Sequence, residues 1–200
     1  MDRKVCFVCI LFLVSAVAGC ATKVTRTDVG KVTDFSGGWN DTDAHLTAEE
    51  MIKECLAGHW INEFNKSSGR SPVVIVGFIK NRTFEHISSD VFVEDLQRAL
   101  TNSGKVAFVA SQDGRREIRE ERADQQTGNT EPSTISKKGH ETGADFMLQG
   151  GINSIQDAVK GKYAVFYQVT LELVDMKTNR KIWLGQKEIK KIVQRPNVKM

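Results

Sequence analysis

The sequence of 200 residues has little proline and almost no excess of charge. Three prolines and 16 glycines leave no room for a long low-complexity region, and 28 Lys and Arg against 25 Asp and Glu give a formal charge of +3. So weak a bias is not typical of a nucleic-acid-binding protein, and we expect no nucleic-acid partner. Hydrophobic residues (40%) and charged residues (26%) stand in the proportion expected of one globular domain with a tail.

The sequence also lacks the short motifs that mark common catalytic and cofactor sites. It contains no HExxH, no GxGxxG, no P-loop and no serine in GxSxG. The four histidines, at positions 45, 59, 86 and 140, do not have the Cys/His spacing of a zinc site. Nothing in these motifs argues for an enzyme, and we expect no catalytic, cofactor-binding or metal-binding residues.

Two short constellations come nearest to catalytic chemistry. Glu85 and His86 form an acid–base pair beside a predicted strand end, but no nucleophile accompanies them, so a polar loop is the better interpretation. Cys55 has His59 one helical turn further on, and both lie on or beside an apolar stripe that is predicted to face the core. We expect Cys55 to be a buried thiol without a catalytic role.

The other three cysteines lie in the first twenty residues, MDRKVCFVCILFLVSAVAGC. Arg3 and Lys4 precede an apolar run of about 14 residues, which is too short to span ~30 Å of hydrocarbon and is typical of a secretory signal peptide. Residues 17–20, Val-Ala-Gly-Cys, resemble the lipobox of bacterial lipoproteins. This resemblance implies cleavage before Cys20 and lipid attachment to it. Because Ala21 follows, it also implies an outer-membrane location, lipid-anchored and facing the periplasm.

The chain is expected to divide into four parts: a signal peptide (1–19), a lipidated N-terminus with a flexible tether (20–46), a globular domain (47–195) and a C-terminal tail (196–200). The tether lacks sustained periodicity and would reach at most roughly 85–95 Å when fully extended. Thr47 and Glu50 have the spacing of a capping box, which predicts that the first helix of the domain starts at Thr47.

The stretch from residue 34 to residue 51, DFSGGWNDTDAHLTAEEM, lies across this boundary. A calcium loop that started at Asp41 would need glycine in sixth place and glutamate in twelfth, where the sequence has Leu46 and Ile52. A metal loop is therefore excluded. We interpret Trp39 and its acidic neighbours as docking the end of the tether onto the domain; a partner-binding patch is the alternative.

The pattern of the remaining chain predicts an α+β fold, with a small mixed β-sheet flanked by helices. The predicted order of elements is a helix that starts at Thr47 and runs beyond residue 60, a buried strand at 72–79, a helix from Ser89 to Gly104, a short strand at 106–109, a charged helix at 114–129, a short helix at 133–142, and extended segments at 146–156, 163–176 and 181–192. The charged helix is either a solvated face or a polar contact surface.

Several segments together resemble the LpoB-type lipoproteins, namely VGFIKNRTFEHI, LQRALTNSGKVAFV, REIREERADQQTGN, GADFMLQGGINSI and YQVTLELVDMKTNRKIWLGQKEI, in unbroken order from about Val73 to Lys191. The resemblance implies a domain like the N-terminal domain of TolB and part of CsgG. It also implies a non-catalytic function, in which an outer-membrane lipoprotein binds and activates a bifunctional class A penicillin-binding protein and so stimulates peptidoglycan synthesis.

Two features depart from the best-known member of that family. The predicted tether is short and has no proline, and the segment SGGWNDTD does not match. No contact residues are therefore transferred. The alternative is a structural or assembly lipoprotein of an envelope export complex, like CsgG or TolB, in which the strand at 163–174 and the lysine-rich end at 187–199 would be assembly edges. Protection of an exposed sheet edge also explains those lysines.

Overall fold

The computed structural model describes residues 24–28, 30–159 and 161–194. The chain forms two compact units, Met1–Val32 and Thr33–Met200, and all helices and strands described here belong to the second. The predictions for the signal peptide, for Cys20 and for the tail at 196–200 lie outside the described residues.

The described elements are four helices and five strands. They are α1 (Asp41–Ala57), α2 (Trp60–Ser68), β1 (Val73–Arg82), α3 (Ser89–Asn102), β2 (Ala107–Phe108), α4 (Gln112–Asp124), β3 (Phe146–Val159), β4 (Lys162–Asp175) and β5 (Lys181–Gln194). The strands form one sheet in the order β2-β1-β3-β4-β5. β1 runs parallel to β2 and β3, whereas β3, β4 and β5 form an antiparallel meander. The predicted α+β class and the mixed sheet are confirmed.

The core lies between one face of the sheet and helices α1, α2 and α3. Alternate residues of β4 face it, as the strict alternation of the sequence predicts. On the helix side, the buried residues of α1 and α3 recur at helical spacing, so that each helix covers the sheet with one stripe. The buried β4 residues are Val165, Tyr167, Val169, Leu171 and Leu173, and they face Ala48, Met51, Ile52, Cys55, Phe92, Leu96 and Leu100 in the same cluster.

The predicted start of the first helix is wrong. α1 begins at Asp41, and its capping box is formed by Asn40 and Asp43, with the Asn40 side chain accepting from the Asp43 N–H at 3.0 Å. Thr47 lies inside the helix at 0% exposure, and its hydroxyl has no hydrogen-bond partner. The buried stripe already starts at Ala44, so burial extends the helix towards the N-terminus beyond the Thr47 signal.

Two further helix predictions are corrected. The helix expected to run through Trp60 is divided into two helices. The backbone is extended at Gly58, where α1 has ended, and α2 begins at Trp60. The Trp60 indole N–H donates to the Cys55 carbonyl near the end of α1 at 2.8 Å. His59 lies at this break and is exposed rather than on the core stripe. The helix expected at 133–142 is only a 3₁₀ turn at Pro132–Thr134, since the residues after it offer no apolar stripe to bury.

Candidate functional site

Trp39 docks the segment before α1 onto the folded domain, as the sequence predicts. Its ring meets Tyr167 and Phe92 edge to face, with centroids 5.6 and 6.4 Å apart. The Trp39 backbone N–H donates to one oxygen of the Glu85 carboxylate at 3.0 Å, and the Tyr167 hydroxyl donates to the other. Burial, together with this contact to Glu85, raises the pKa of Tyr167. Glu85 therefore joins the docked segment to the sheet.

Lys191 of β5 holds the same segment by charge. Its ammonium lies 2.7 Å from the Asp34 carboxylate and 2.6 Å from that of Asp43, and it donates to the Gly38 carbonyl at 2.9 Å. Burial disfavours the charged ammonium, but the hydrogen bonds to Asp34 and Asp43 outweigh it, so that the pKa of Lys191 is raised. The hydrogen bond from Lys191 also lowers the pKa of Asp34. We call these three side chains the Lys191 cluster.

Gly37 lets the docked segment lie directly on the sheet. It has a φ of 74°, and a Cβ atom there would collide with the Val193 side chain. The two neighbouring residues are also held by hydrogen bonds. The Tyr163 hydroxyl donates to the Ser36 carbonyl, and the Lys191 ammonium donates to the Gly38 carbonyl. Residues 33–40 are thus part of the folded domain, whereas the sequence places them in the tether.

We expect Lys191→Met to lower the free energy of unfolding by about 2 kcal/mol at pH 7, because the substitution leaves the buried Asp43 carboxylate without its cation. The pKa of Asp34 is lower in the folded state, so its pairing stabilises the protein above the unfolded pKa of about 4 and is lost as the pH falls through the folded pKa. The difference between wild type and variant should therefore shrink in acid.

Urea unfolding of both proteins at about pH 7 and about pH 3 measures this difference. Lys190→Met is the matched control, because Lys190 is the exposed neighbour and should change stability by no more than ~0.5 kcal/mol at either pH. A Lys191→Met effect of the same size at both pH values would refute the role given to Asp34.

The residues considered for catalysis do not come together. Cys55 is buried at 1% exposure, and desolvation raises the pKa of its thiol to about 12, so it carries no thiolate at neutral pH. His59 and His86 are both exposed, and Glu85 is engaged by Tyr167 and Trp39 instead of His86. In the described part of the chain no group of three or more His, Cys, Asp or Glu residues has the geometry of a metal site.

Helix α4 is the charged helix expected from the sequence, and none of its residues is buried. Glu141, which lies shortly before β3, accepts hydrogen bonds from Arg119 at 2.7 and 3.0 Å and from Arg122 at 2.8 Å. Hydrogen bonding from Arg119 lowers the pKa of Glu141. These pairs fasten the helix to the segment that leads into β3.

The outer edge of β1 is open over most of its length. β2 pairs only with Val73 and Val74, so the edge from Ile75 to Arg82 has no strand partner among the described residues. Such an edge presents backbone N–H and C=O groups that can pair with an extended peptide. A cleft of about 470 Å³ runs along it, between β1, helix α3 and the first turn of α4; we call it the β1-edge cleft.

The β1-edge cleft offers one exposed aromatic ring and one incompletely bonded cation. Phe78 lines it at 81% exposure, next to the register shift in β1, and Ile75 and Met147 supply further apolar lining. Arg115 lines the opposite wall, and its Nε atom is buried without a hydrogen-bond partner. The cleft thus suits an extended segment that carries an apolar side chain and an oxygen acceptor for Arg115.

Sequence analysis did not identify this cleft. Two signals were present: the strand at 106–109 is short beside the strand at 72–79, and Gly77 interrupts the apolar run of the longer one. A Cβ atom at Gly77 would lie 2.9 Å from the Met147 sulfur, so glycine permits the close packing there. Neither signal shows which residues face the open edge, because that depends on α3 and α4.

Comparison with protein families identifies the class of protein to which this chain belongs, the activators of peptidoglycan synthases. The matching family is described as "Peptidoglycan-synthase activator LpoB", and the match spans residues 43–189. The chain belongs to the LpoB family. A comparison with curated proteins found no match.

Solved structures with a similar fold include two LpoB domains. The LpoB C-terminal domain from Salmonella enterica is 17% identical, with 74% of this chain and 98% of that chain covered and a TM-score of 0.42. The LpoB C-terminal domain from Escherichia coli is 18% identical, with 71% and 97% covered and a TM-score of 0.38. Lipoprotein GNA1162 from Neisseria meningitidis is 13% identical, with 64% and 88% covered and a TM-score of 0.38.

Membership in the family supports a general role as an activator of penicillin-binding proteins in peptidoglycan synthesis, through interaction with them. The family consists of regulatory envelope lipoproteins. Within the described ranges, no helix is both long and apolar enough to cross a membrane.

Proposed function

We propose that the protein is an outer-membrane lipoprotein that binds and activates a bifunctional class A penicillin-binding protein without catalysing a reaction itself. The observation that carries this proposal is the family match over residues 43–189, which covers nearly all of α1 and of the sheet. The family match gives no support to the alternative of an envelope export complex. Signal-peptide cleavage after residue 19 and acylation of Cys20 belong to the same proposal.

Activation by contact requires a difference in affinity. The chain stimulates the synthase only if it binds the active conformation of the synthase more tightly than the inactive one, because a ligand with equal affinity for both shifts no population. We propose the β1-edge cleft as the contact surface. It combines an exposed aromatic anchor at Phe78, an open strand edge and the side chain of Arg115, whose buried Nε atom has no hydrogen-bond partner.

The docked segment shortens the tether. Since the folded unit starts at Thr33, only residues 20–32 remain between the acylated cysteine and the domain. Thirteen residues reach at most roughly 45 Å when extended, about half of the reach expected for a tether that ends at residue 46. The synthase must therefore present its contact surface close to the membrane that holds the lipoprotein.

The test is a rate measurement on purified class A synthases from the same organism. The acylated full-length protein, purified in detergent, is added to each synthase, and glycan polymerisation and peptide crosslinking are followed separately. We expect at least one synthase to be accelerated in a saturable manner. Unchanged rates for every class A synthase would contradict the proposal, and affinity capture from solubilised membranes would then identify the actual partner.

A further inference from the structure

Exposed apolar side chains gather at the end of the sheet where the chain enters the domain. This end holds the C-termini of β1 and β3 and the N-terminus of β4. We call it the entry end, because Ser36 and Gly37 contact Tyr163 and Val193 there. The apolar side chains around it are Phe35 (95% exposed), Phe84 (58%), Ile155 (67%), Val159 (72%) and Ile192 (69%).

Strand register shows that three of these side chains share one surface. On the sheet face that turns away from the core, the last three rows of β3, β4 and β5 contain five apolar residues, two lysines, one aspartate and one glutamine. The rows are Ile155–Phe166–Lys190, Asp157–Ala164–Ile192 and Val159–Lys162–Gln194. No helix or strand among the described residues covers these rows, so the apolar side chains stay in contact with solvent.

The other two side chains extend the apolar surface around the entry end. Phe84 lies in the loop after β1, and it lines a cavity of about 540 Å³ together with Ala158, Val159 and Tyr163. Phe35 directly precedes Ser36, whose carbonyl is held by Tyr163. Apolar side chains are therefore exposed on both faces of the sheet at the entry end. This arrangement allows the domain to insert that end into an apolar medium, with its strands pointing away from it.

We propose that the entry end docks onto the surface of the lipid membrane in which the protein is anchored. The inference rests on the proposed acylation of Cys20. Twelve peptide links separate Cys20 from Val32, and twelve links reach at most roughly 40 Å when fully extended. The anchor thus holds the entry end near the bilayer at a high effective concentration, before any protein partner is encountered.

Charge and shape agree with a lipid surface. Lys162 and Lys190 lie among the apolar side chains, against the single acidic Asp157, and their ammonium groups would meet anionic headgroups while the apolar side chains enter the interface. With the entry end on the membrane, the opposite end of the 14-residue strands β4 and β5 would project about 45 Å from it. Docking therefore also orients the domain.

The experiment compares two positions on the same face of β5. Ile192→Cys and Leu184→Cys are each introduced into the full-length protein, purified in its acylated form, labelled with an environment-sensitive NBD fluorophore, and reconstituted into phosphatidylethanolamine/phosphatidylglycerol vesicles. Both side chains are exposed, at 69% and 61%, and they lie about 27 Å apart along the strand. Cys55 is buried and should not react.

We expect the label at position 192 to shift to shorter wavelength and to be quenched by doxyl-labelled lipids, whereas the label at position 184 should keep its emission in water. Adding Lys162→Glu and Ile155→Asp to the Ile192→Cys protein should abolish the shift and the quenching without changing its thermal unfolding. Equal quenching at both positions, or quenching at neither, overturns the docking proposal. A blue shift without lipid quenching would indicate contact with a second copy or another protein, and it also overturns it.

Vesicle flotation separates this outcome from failure of the anchor. If the labelled protein does not float with the vesicles, membrane anchoring through Cys20 is refuted and the docking proposal is refuted with it. If it floats and the label at position 192 is not quenched, the anchor stands and docking alone is refuted. The synthase assay is independent of both readouts.

Discussion

Trp39→Ala should lower the free energy of unfolding by about 3 kcal/mol and the melting temperature by roughly 6–12 °C. Trp39 packs edge to face against Tyr167 and Phe92, both at 0% exposure, so truncation opens a cavity against two aromatic rings. The estimate lies at the lower end of the range for core tryptophans because the Trp39 side chain is only partly buried. Urea unfolding followed by circular dichroism measures it.

Phe35→Ala is the matched control within the same segment. Phe35 is 95% exposed, and its truncation should change stability by no more than ~0.5 kcal/mol. If both variants were as stable as the wild type, the segment at 33–40 would not be docked on the domain, and the reach of the lipid anchor would be correspondingly longer. This comparison therefore decides where the domain starts.

Regular elements were predictable where one local pattern dominates. The β4 alternation from Tyr163 to Leu173 leaves only one way to place the strand, since a shift by one residue would expose every apolar side chain. Helix α3 was equally clear, because its apolar stripe is bounded by Ser89 and Gly104. In both cases a single periodicity and its end signals agree.

Predictions failed where local signals competed or where distant residues decide. Thr47 and Glu50 match a capping box better than Asn40 and Asp43 do, yet burial of the preceding turn against the sheet determines the start of the helix. The Lys191 cluster joins residues almost at opposite ends of the chain, and no local pattern reports such a pairing. Likewise, an open strand edge is visible only once its neighbours are placed.

Variants in the β1-edge cleft should have the largest effect on function. We expect Phe78→Ser to raise the concentration of protein needed for half-maximal activation of the synthase by about 30-fold, the usual loss of ~2 kcal/mol when an aromatic anchor is removed from an interface. Since Phe78 is 81% exposed, the stability of the unbound protein should hardly change. Titration of the glycan polymerisation rate gives the half-maximal concentration.

Arg115→Ala should act in the same direction, because it removes the Nε donor that has no partner in the unbound protein. Its matched control is Arg116→Ala, one residue further along α4, where the side chain is exposed and pairs with Asp113 at 3.3 Å. Leu184→Ser provides the corresponding control for Phe78, since it is also an exposed apolar residue but lies on β5. If the control variants changed the half-maximal concentration as much as the Phe78 and Arg115 variants do, the contact with the synthase would lie elsewhere on the domain. If only the Phe78 and Arg115 variants lose activation, the synthase binds at the open edge of β1, where one of its segments can pair as an added strand. The entry end would then remain free to contact the membrane.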